Sequence, residues 1–223
     1  MPAPGSRLGW RAVVADPDAG MGMLRELQGS GHGAQPLHAD LPALEWPYDD
    51  KADLRSINEF LADEQFVDTN RISGRRIAAN IDVLKREAGL TDGDIARVPM
   101  LYTARTIDYL IAKTAITGME PGPARDKAIA ELDAMRKAGA ETPNPVNGLV
   151  LAGGEYVAPR PYGPVVGGKD VFMTSTTKAF ALTGHHVTYI NDLVTHFSEG
   201  EIHCATNILR DVFSSDSRWW QHG

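Results

Sequence analysis

Cysteine is almost missing from this 223-residue sequence: Cys204 is the only one. No disulfide framework can form within the chain, which suits a reducing, cytoplasmic compartment. Any thiol chemistry must fall on that single residue. No apolar run reaches the ~18 residues that a membrane span requires. The stretch from Met1 to Trp10 also lacks the apolar centre of a signal peptide. Neither a phosphate-binding P-loop nor a Gly-x-Gly-x-x-Gly turn is present, so nucleotide binding has no support. Basic residues are outnumbered, 22 Lys and Arg against 29 Asp and Glu, for a net charge of −7. That balance argues against nucleic acid as a partner and suits a cationic substrate, whose local concentration a negative surface raises.

What is present is ordinary globular material, 43% hydrophobic and 23% charged, enough for a sizeable core. Trp10 to Ala15 reads as a buried strand closed by Asp16-Pro17-Asp18, a turn or helix cap. Met21 to Leu27 reads as a short helix ended by Gly29-Ser30-Gly31, and residues 34–50 as irregular surface chain. Leu54, Ile57 and Leu61 share one helical face, as do Ile77, Ile81, Leu84 and Ala88, with Gly89 as C-cap. Ile95 to Leu101 is a strand interrupted by Pro99. Thr106 to Thr117 is a candidate helix, and Ile129, Leu132 and Met135 define another. Asn147 to Ala152 and Tyr156-Val157 form a hairpin about Gly153-Gly154. Lys169 to Thr183 reads as helix, His186 to Ile190 as strand, and Ile202 to Thr206 as a short strand-like end. Helices alternating with strands place the chain in the α/β class.

Chemistry has few places to sit. Cys204 lies in Gly200-Glu-Ile-His-Cys-Ala-Thr-Asn207; on composition alone a free Cys reads as a buried packing residue sooner than as a nucleophile. His203 beside it would face the other way on a strand, and the adjacent pair His185-His186 fails as a metal site for the same reason. His196 and His222 read as surface imidazoles. His38 and Asp40, a His–carboxylate pair two residues apart, sit in irregular chain where chance explains them. Glu201 is either a solvated strand-edge acid or a site carboxylate.

Four collinear segments sharpen this reading. They are Asn144-Pro-Val-Asn147-Gly-Leu-Val-Leu151, Ala158-Pro-Arg-Pro-Tyr-Gly-Pro-Val165, Tyr189-Ile-Asn-Asp192 and Gly200 to Asn207. Together with Trp219-Trp220, and more loosely Gly31-His-Gly33 and Leu84 to Glu87, they resemble the end of the peptidylarginine deiminases. The resemblance covers nearly all of the chain except about 104–142, which looks like a helical insertion. It makes residues 1–223 the C-terminal portion of a protein-arginine deiminase catalytic domain. The fold it implies is a propeller of five ββαβ modules (the pentein fold), of which this chain resembles roughly the last two. The missing N-terminal modules are then partners of the chain.

By that resemblance Cys204 is the nucleophile that attacks the guanidinium of a peptidyl arginine and yields citrulline and ammonia. The implied substrate is an arginine-containing protein or peptide. The family's catalytic His and one Asp lie in a His-x-Asp-Glu-Phe motif, just ahead of a segment like Pro2-Ala3-Pro4, and its other Asp lies further upstream. The expectation is therefore a chain without those residues and inactive by itself. Ser198 stands where vertebrate members carry an Arg that holds the substrate backbone, which puts peptide recognition in doubt. Calcium is implied by the family, with ligands outside this chain. Two alternatives stay open: an inert remnant or binding module of the same fold, and a deiminase or amidinotransferase of small free guanidines.

Overall fold

The computed structural model describes residues 1, 3, 5–43, 53–104, 115, 116, 118–134 and 138–207, with the side chains of 132–134 excepted. Met135, His222, Trp219-Trp220 and most of the helix expected over 106–117 lie outside the described residues.

Strand β1 (Ala12–Asp16) is apolar and β-branched until Asp16 stops it. The Asp16 carboxylate accepts the Ala19 N–H at 2.9 Å and opens helix α1 (Pro17–Leu27), as the Asp-Pro-Asp pattern predicts. Proline fits that first helical position because its missing N–H would have had no partner there. Gly20 lets α1 lie against the end of the next strand: a Cβ there would sit 2.3 Å from the Met100 carbonyl oxygen. Helix α2 (Ile57–Ala62) starts on a reciprocal cap, in which Ser56 and Glu59 each bond the other's backbone N–H. Helix α3 (Glu64–Ala88) starts on Asp63 and ends at Gly89, which takes the left-handed conformation (φ 64°) expected of a C-cap glycine. Strand β2 (Ile95–Pro99) then pairs parallel with β1, Ala12 opposite Ile95 through Asp16 opposite Pro99. Pro99 is tolerated because the strand ends on it.

Strand β3 (Tyr102–Ala104) pairs antiparallel with β4 (Ala138–Ala140), and helix α4 (Pro123–Ala134) lies in the excursion between them. The buried Asn70 of α3 fixes β3, accepting the Tyr102 N–H and donating to the Tyr102 carbonyl, both at 2.9 Å. Next come β5 (Leu149–Val150) and β6 (Glu155–Pro159), a hairpin turning on Gly153 and Gly154, both at positive φ. A small hairpin of β7 (Val165–Val166) and β8 (Lys169–Asp170) follows. Helix α5 (Val171–Ala181) then leads to β9 (His186–Ile190), which joins β6 in parallel. Strand order β5-β6-β9 with α5 as crossover is a ββαβ unit. Helix α6 (Leu193–Phe197) closes the described fold.

Several expectations are corrected. Ile202 to Thr206 is a turn, in which Cys204 N–H and Ala205 N–H both bond the Glu201 carbonyl. Leu37 and His38 are buried, so the chain after residue 34 is irregular without lying wholly on the surface. Leu54 is exposed, and Phe60, absent from the apolar pattern, is buried in the core beside Ile57 of the same helix. On α3 the inward face runs Phe66, Asn70, Ser73, Gly74 and Ile81, while Leu84 and Ala88 are exposed. Polar and small residues on that face are the reason periodicity placed it wrongly. The β7–β8 hairpin and α6 are too short for hydrophobic periodicity to mark.

Two apolar clusters hold the structure. One joins α1, α2 and α3 through Leu24, Leu37, Ile57, Phe60 and Phe66; the other joins Val98, Tyr156, Ala158, Phe180 and Val187. Phe60 is fully buried, edge-on to Phe66 at 4.9 Å, with the Arg55 guanidinium 4.1 Å from its ring centre. Phe60→Ala is expected to cost about 3–5 kcal/mol in a denaturant melt, because the cavity adds to the lost transfer free energy.

Asp94 ties the N-terminal loop to the end of α3. Its Oδ2 accepts from Arg7 Nη2 at 2.7 Å and from the Thr91 hydroxyl and N–H at 2.7 and 2.9 Å. The Arg7 bond first, then those of Thr91, hold the carboxyl well below the usual carboxylate range. A group depressed in the folded state stabilises it above the unfolded pKa, and that contribution fades as pH falls through the folded value. Asp94→Asn is therefore expected to destabilise the protein at pH 7. The gap to wild type should narrow steadily below about pH 4 in paired denaturant titrations.

Candidate active site

Cys204 is exposed, on the turn that follows α6. How it gets there is local. Glu199 adopts a left-handed conformation (φ 66°), which stops α6, and the Gly200 N–H bonds back to the Thr195 carbonyl at 2.9 Å. The reversed chain enters a turn in which Cys204 N–H donates to the Glu201 carbonyl at 2.8 Å. Sγ thus stands at the surface on hydrogen-bonded backbone.

Its partner comes from another segment. Asn147 Nδ2 donates to Sγ at 3.4 Å, and this bond, the largest of the causes, holds the thiol below its usual pKa. An amide N–H directed at sulfur favours the thiolate, which is the nucleophilic form. Asn147 is fixed from both sides. The buried Tyr156 hydroxyl accepts the Gly148 N–H at 2.9 Å and faces the Pro145 and Val146 carbonyls at the same distance. Burial pushes that phenol up to about 12, so it remains a donor at any ordinary pH. Gly148 is required here, because a Cβ would lie 2.2 Å from the Val157 carbonyl oxygen and 2.9 Å from the Tyr156 hydroxyl. On the other side Asn144 N–H donates to Glu201 Oε1 at 3.0 Å.

Glu201 is therefore no solvated edge acid. Its side chain is 7% exposed, Oε1 also meets His196 Nδ1 at 3.0 Å, and Oε2 is buried without a hydrogen-bond partner. Burial raises its carboxyl pKa, against the pull of His196. His196, expected at the surface, is 10% exposed in its side chain and belongs to this buried pair. A groove of about 540 Å³ reaches the thiol's amide partner: it is lined by Asn147 together with Gly200, Glu201, Arg55, Tyr102 and Glu141, and not by Cys204 itself. A depression of similar volume along α2 and α3 is lined by Leu61, Gln65 and Val67 and carries no nucleophile.

The other singled-out residues fall elsewhere. His38 does not pair with Asp40: its Nδ1 faces the Tyr162 carbonyl at 3.2 Å and its Nε2 meets Glu141 at 3.4 Å, while Asp40 pairs with Arg160. His203 lines a separate hollow with Val13, Val146 and Tyr156, so it diverges from Cys204 by turn geometry and not by strand alternation. His185 bonds Thr183, and the exposed His186 pairs with Glu155. Among the described residues no three His, Cys, Asp or Glu side chains come together as a metal site. Ser198 turns its hydroxyl back onto the Val194 carbonyl at 2.8 Å. Asn147, the contact to sulfur, was visible in the sequence only as part of a motif, as was Asn144, and nothing local marks His196.

Comparison with known proteins agrees with the segments that led to Cys204. A family profile described as protein-arginine deiminase matches residues 1–221. Protein-arginine deiminase type-4 of Rattus norvegicus is 33% identical over 221 residues, 99% of this chain and 28% of that protein. Type-3 of Mus musculus and type-4 of Homo sapiens are each 30% identical over 99% of this chain. The chain spans 28% of the mouse type-3 protein and 27% of the human type-4, well under a third of either. With the profile match running almost end to end, this chain belongs to the protein-arginine deiminase family.

Proposed function

We propose that this chain carries the nucleophile of a protein-arginine deiminase, Cys204, and supplies roughly the last two modules of a five-module propeller. The single observation that carries the reading is the exposed thiol beside a groove, with an amide N–H on its sulfur, in a chain of this family. In the reaction, the Cys204 thiolate bonds to the guanidinium carbon of a peptidyl arginine. The C–N bond to one terminal nitrogen breaks, and that nitrogen leaves as ammonia after taking up a proton. A covalent thiouronium remains. Water then adds to the same carbon and loses its protons, the C–S bond breaks, and citrulline and the thiolate are released.

Those proton transfers need a general acid and base, and the substrate cation needs carboxylates to hold it. The buried pairs His196–Glu201 and His38–Glu141 are engaged with each other and with backbone, so neither fills that role. The catalytic His and both Asp residues belong to the family's upstream segment. By itself the chain retains one member of a unit, and losing the others costs on the order of 10⁴ or more in rate. The ββαβ unit of β5, β6, α5 and β9 supports the modular reading, as do the exposed Leu151, Leu182, Ile190 and Val194, apolar surface that neighbouring modules would cover.

Ser198 favours one variation. With its hydroxyl on its own helix, position 198 offers no cation to a peptide carbonyl, which opens the site to small free guanidines. Citrulline release from an arginine peptide and from a free arginine derivative separates the two substrate classes.

Two outcomes test the reading. Citrulline production by the chain joined to the upstream segment of its family is expected to vanish in Cys204→Ala, and the isolated chain should stay at least about a hundredfold slower than the joined protein. Undiminished turnover in Cys204→Ala would remove the nucleophile assignment. Separately, Asn147→Ala should raise the pH midpoint of Cys204 alkylation by iodoacetamide by about one unit, the worth of one charge-assisted hydrogen bond. An unchanged midpoint would show that the amide does not tune the thiol.

A further inference from the structure

Glu201 occupies an unusual position. It is three residues from the thiol, almost wholly buried, and one of its carboxylate oxygens has no hydrogen-bond partner. A buried carboxylate is costly unless its bonds return the loss. Its bonds go to two pieces of chain that are far apart in sequence. The backbone carbonyl takes the Cys204 N–H at 2.8 Å and the Ala205 N–H at 3.1 Å, which forms the turn under the sulfur. The side chain takes the Asn144 N–H at 3.0 Å, at the head of the segment that delivers Asn147 to Sγ. Within that segment Asn144 Oδ1 accepts the Val146 N–H and the Asn144 carbonyl accepts the Asn147 N–H, both at 3.0 Å. Position is thus passed from Glu201 through Asn144 to Asn147 by bonds of 3.0 Å, beside one longer direct bond from the turn, the His203 N–H to the Asn147 carbonyl at 3.3 Å. His196 Nδ1 meets the same carboxylate oxygen at 3.0 Å.

We propose that Glu201 is a positioning residue for Cys204, a clamp that holds the Asn144–Asn147 segment to the 201–204 turn so that the Asn147 amide stays on the sulfur. The inference rests on Cys204 being the nucleophile and adds a residue that touches neither substrate nor sulfur with its side chain. Two effects of Glu201 on the thiol oppose each other. As a neighbouring negative charge it disfavours the thiolate; as a clamp it favours the thiolate through Asn147. Their opposite signs make the proposal decidable. The titratable groups facing Glu201 are His196 and Asp192 from α6 and its cap and Cys204 on its own turn. Behind His196, across a narrow cavity, lie His38, Asp53 and Glu141.

The experiment is the pH dependence of iodoacetamide alkylation, read by mass on a chain with one cysteine. It compares wild type with Glu201→Ala, Glu201→Asp, Glu201→Gln, Asn147→Ala and the Glu201→Ala/Asn147→Ala pair. Glu201→Ala should move the midpoint up by about one unit, as Asn147→Ala does, and the pair should move it no further. Glu201→Asp keeps the charge but withdraws the acceptor from Asn144, so its midpoint should rise too. Glu201→Gln keeps an oxygen for the Asn144 N–H and removes the charge, so its midpoint should stay at or below wild type. A downward shift in Glu201→Ala, an upward shift in Glu201→Gln, or an unmoved midpoint in a folded Glu201→Ala or Glu201→Asp overturns the clamp. Where Glu201→Ala fails to melt cooperatively, Glu201→Asp still separates the clamp, which raises its midpoint, from charge proximity, which leaves it unmoved. Alkylation needs neither substrate nor turnover. A midpoint that follows Glu201, with no citrulline made when the chain is joined to the upstream segment of its family, would sink the deiminase reading alone.

Discussion

The active-site face depends on the fixing of one short segment, Asn144 to Gly148, between two buried polar groups. Tyr156, stacked on Phe180 at 4.2 Å between ring centres, brings a hydroxyl from the second apolar cluster to its far end. Glu201 brings a carboxylate from the turn after α6 to its near end. The segment has no regular secondary structure of its own, so these side chains hold it as a sheet ladder would elsewhere. Gly148 permits the closeness and Asn147 is its product: an amide placed on a sulfur that comes from 57 residues further along. The ββαβ unit supplies the rigid frame, since Tyr156 lies on β6, the central strand between β5 and β9.

Around the thiol the electrostatics is divided between exposed and buried groups. The sulfur is open to solvent, so its acidity is set mainly by the single amide and not by a desolvated cation beside it. Behind it, two buried His–carboxylate pairs meet along a narrow cavity, His196 with Glu201 and His38 with Glu141. Arg55 is held by Asp53 and Asp63, which raises its pKa still further and keeps its charge engaged at the groove's far wall. The groove is therefore lined by Glu201, Glu141 and Asp53 in pairs with His196, His38 and Arg55.

How much of this the sequence disclosed follows from range. Local signals were legible: Asp16 and Pro17 at the start of α1, Gly89 at the end of α3, and the Gly153-Gly154 turn all stand where spacing put them. Each is a backbone requirement met by a residue within a few positions. Pattern failed where burial was polar. Asn70, Ser73 and Gly74 face inward on α3 because they bond or closely approach β3 and α1, and no apolar period records that. The site was legible only in its motifs. Those named Cys204 and included Asn144, Asn147 and Glu201, the last readable either as an edge acid or as a site carboxylate, but His196 looks like a surface residue until the fold closes over it.

The turn that carries Cys204 also decides how its sulfur is presented. A nucleophile enclosed by its own domain can collect its acid, base and clamp from adjacent strands, and its sulfur then has little reason to be exposed. Here Sγ projects from a turn whose backbone is hydrogen-bonded from beneath, while the groove beside it is walled by residues already committed to one another. Rigidity on one side and openness on the other is the arrangement a thiol needs when the remaining groups approach from a different part of a protein. The turn and the amide contact are set beforehand, so a group that meets the sulfur need order little more than itself. That division places the burden of geometry on the Asn144–Gly148 segment and its two buried anchors, and it makes a change at either anchor felt at the sulfur before it is felt in the fold.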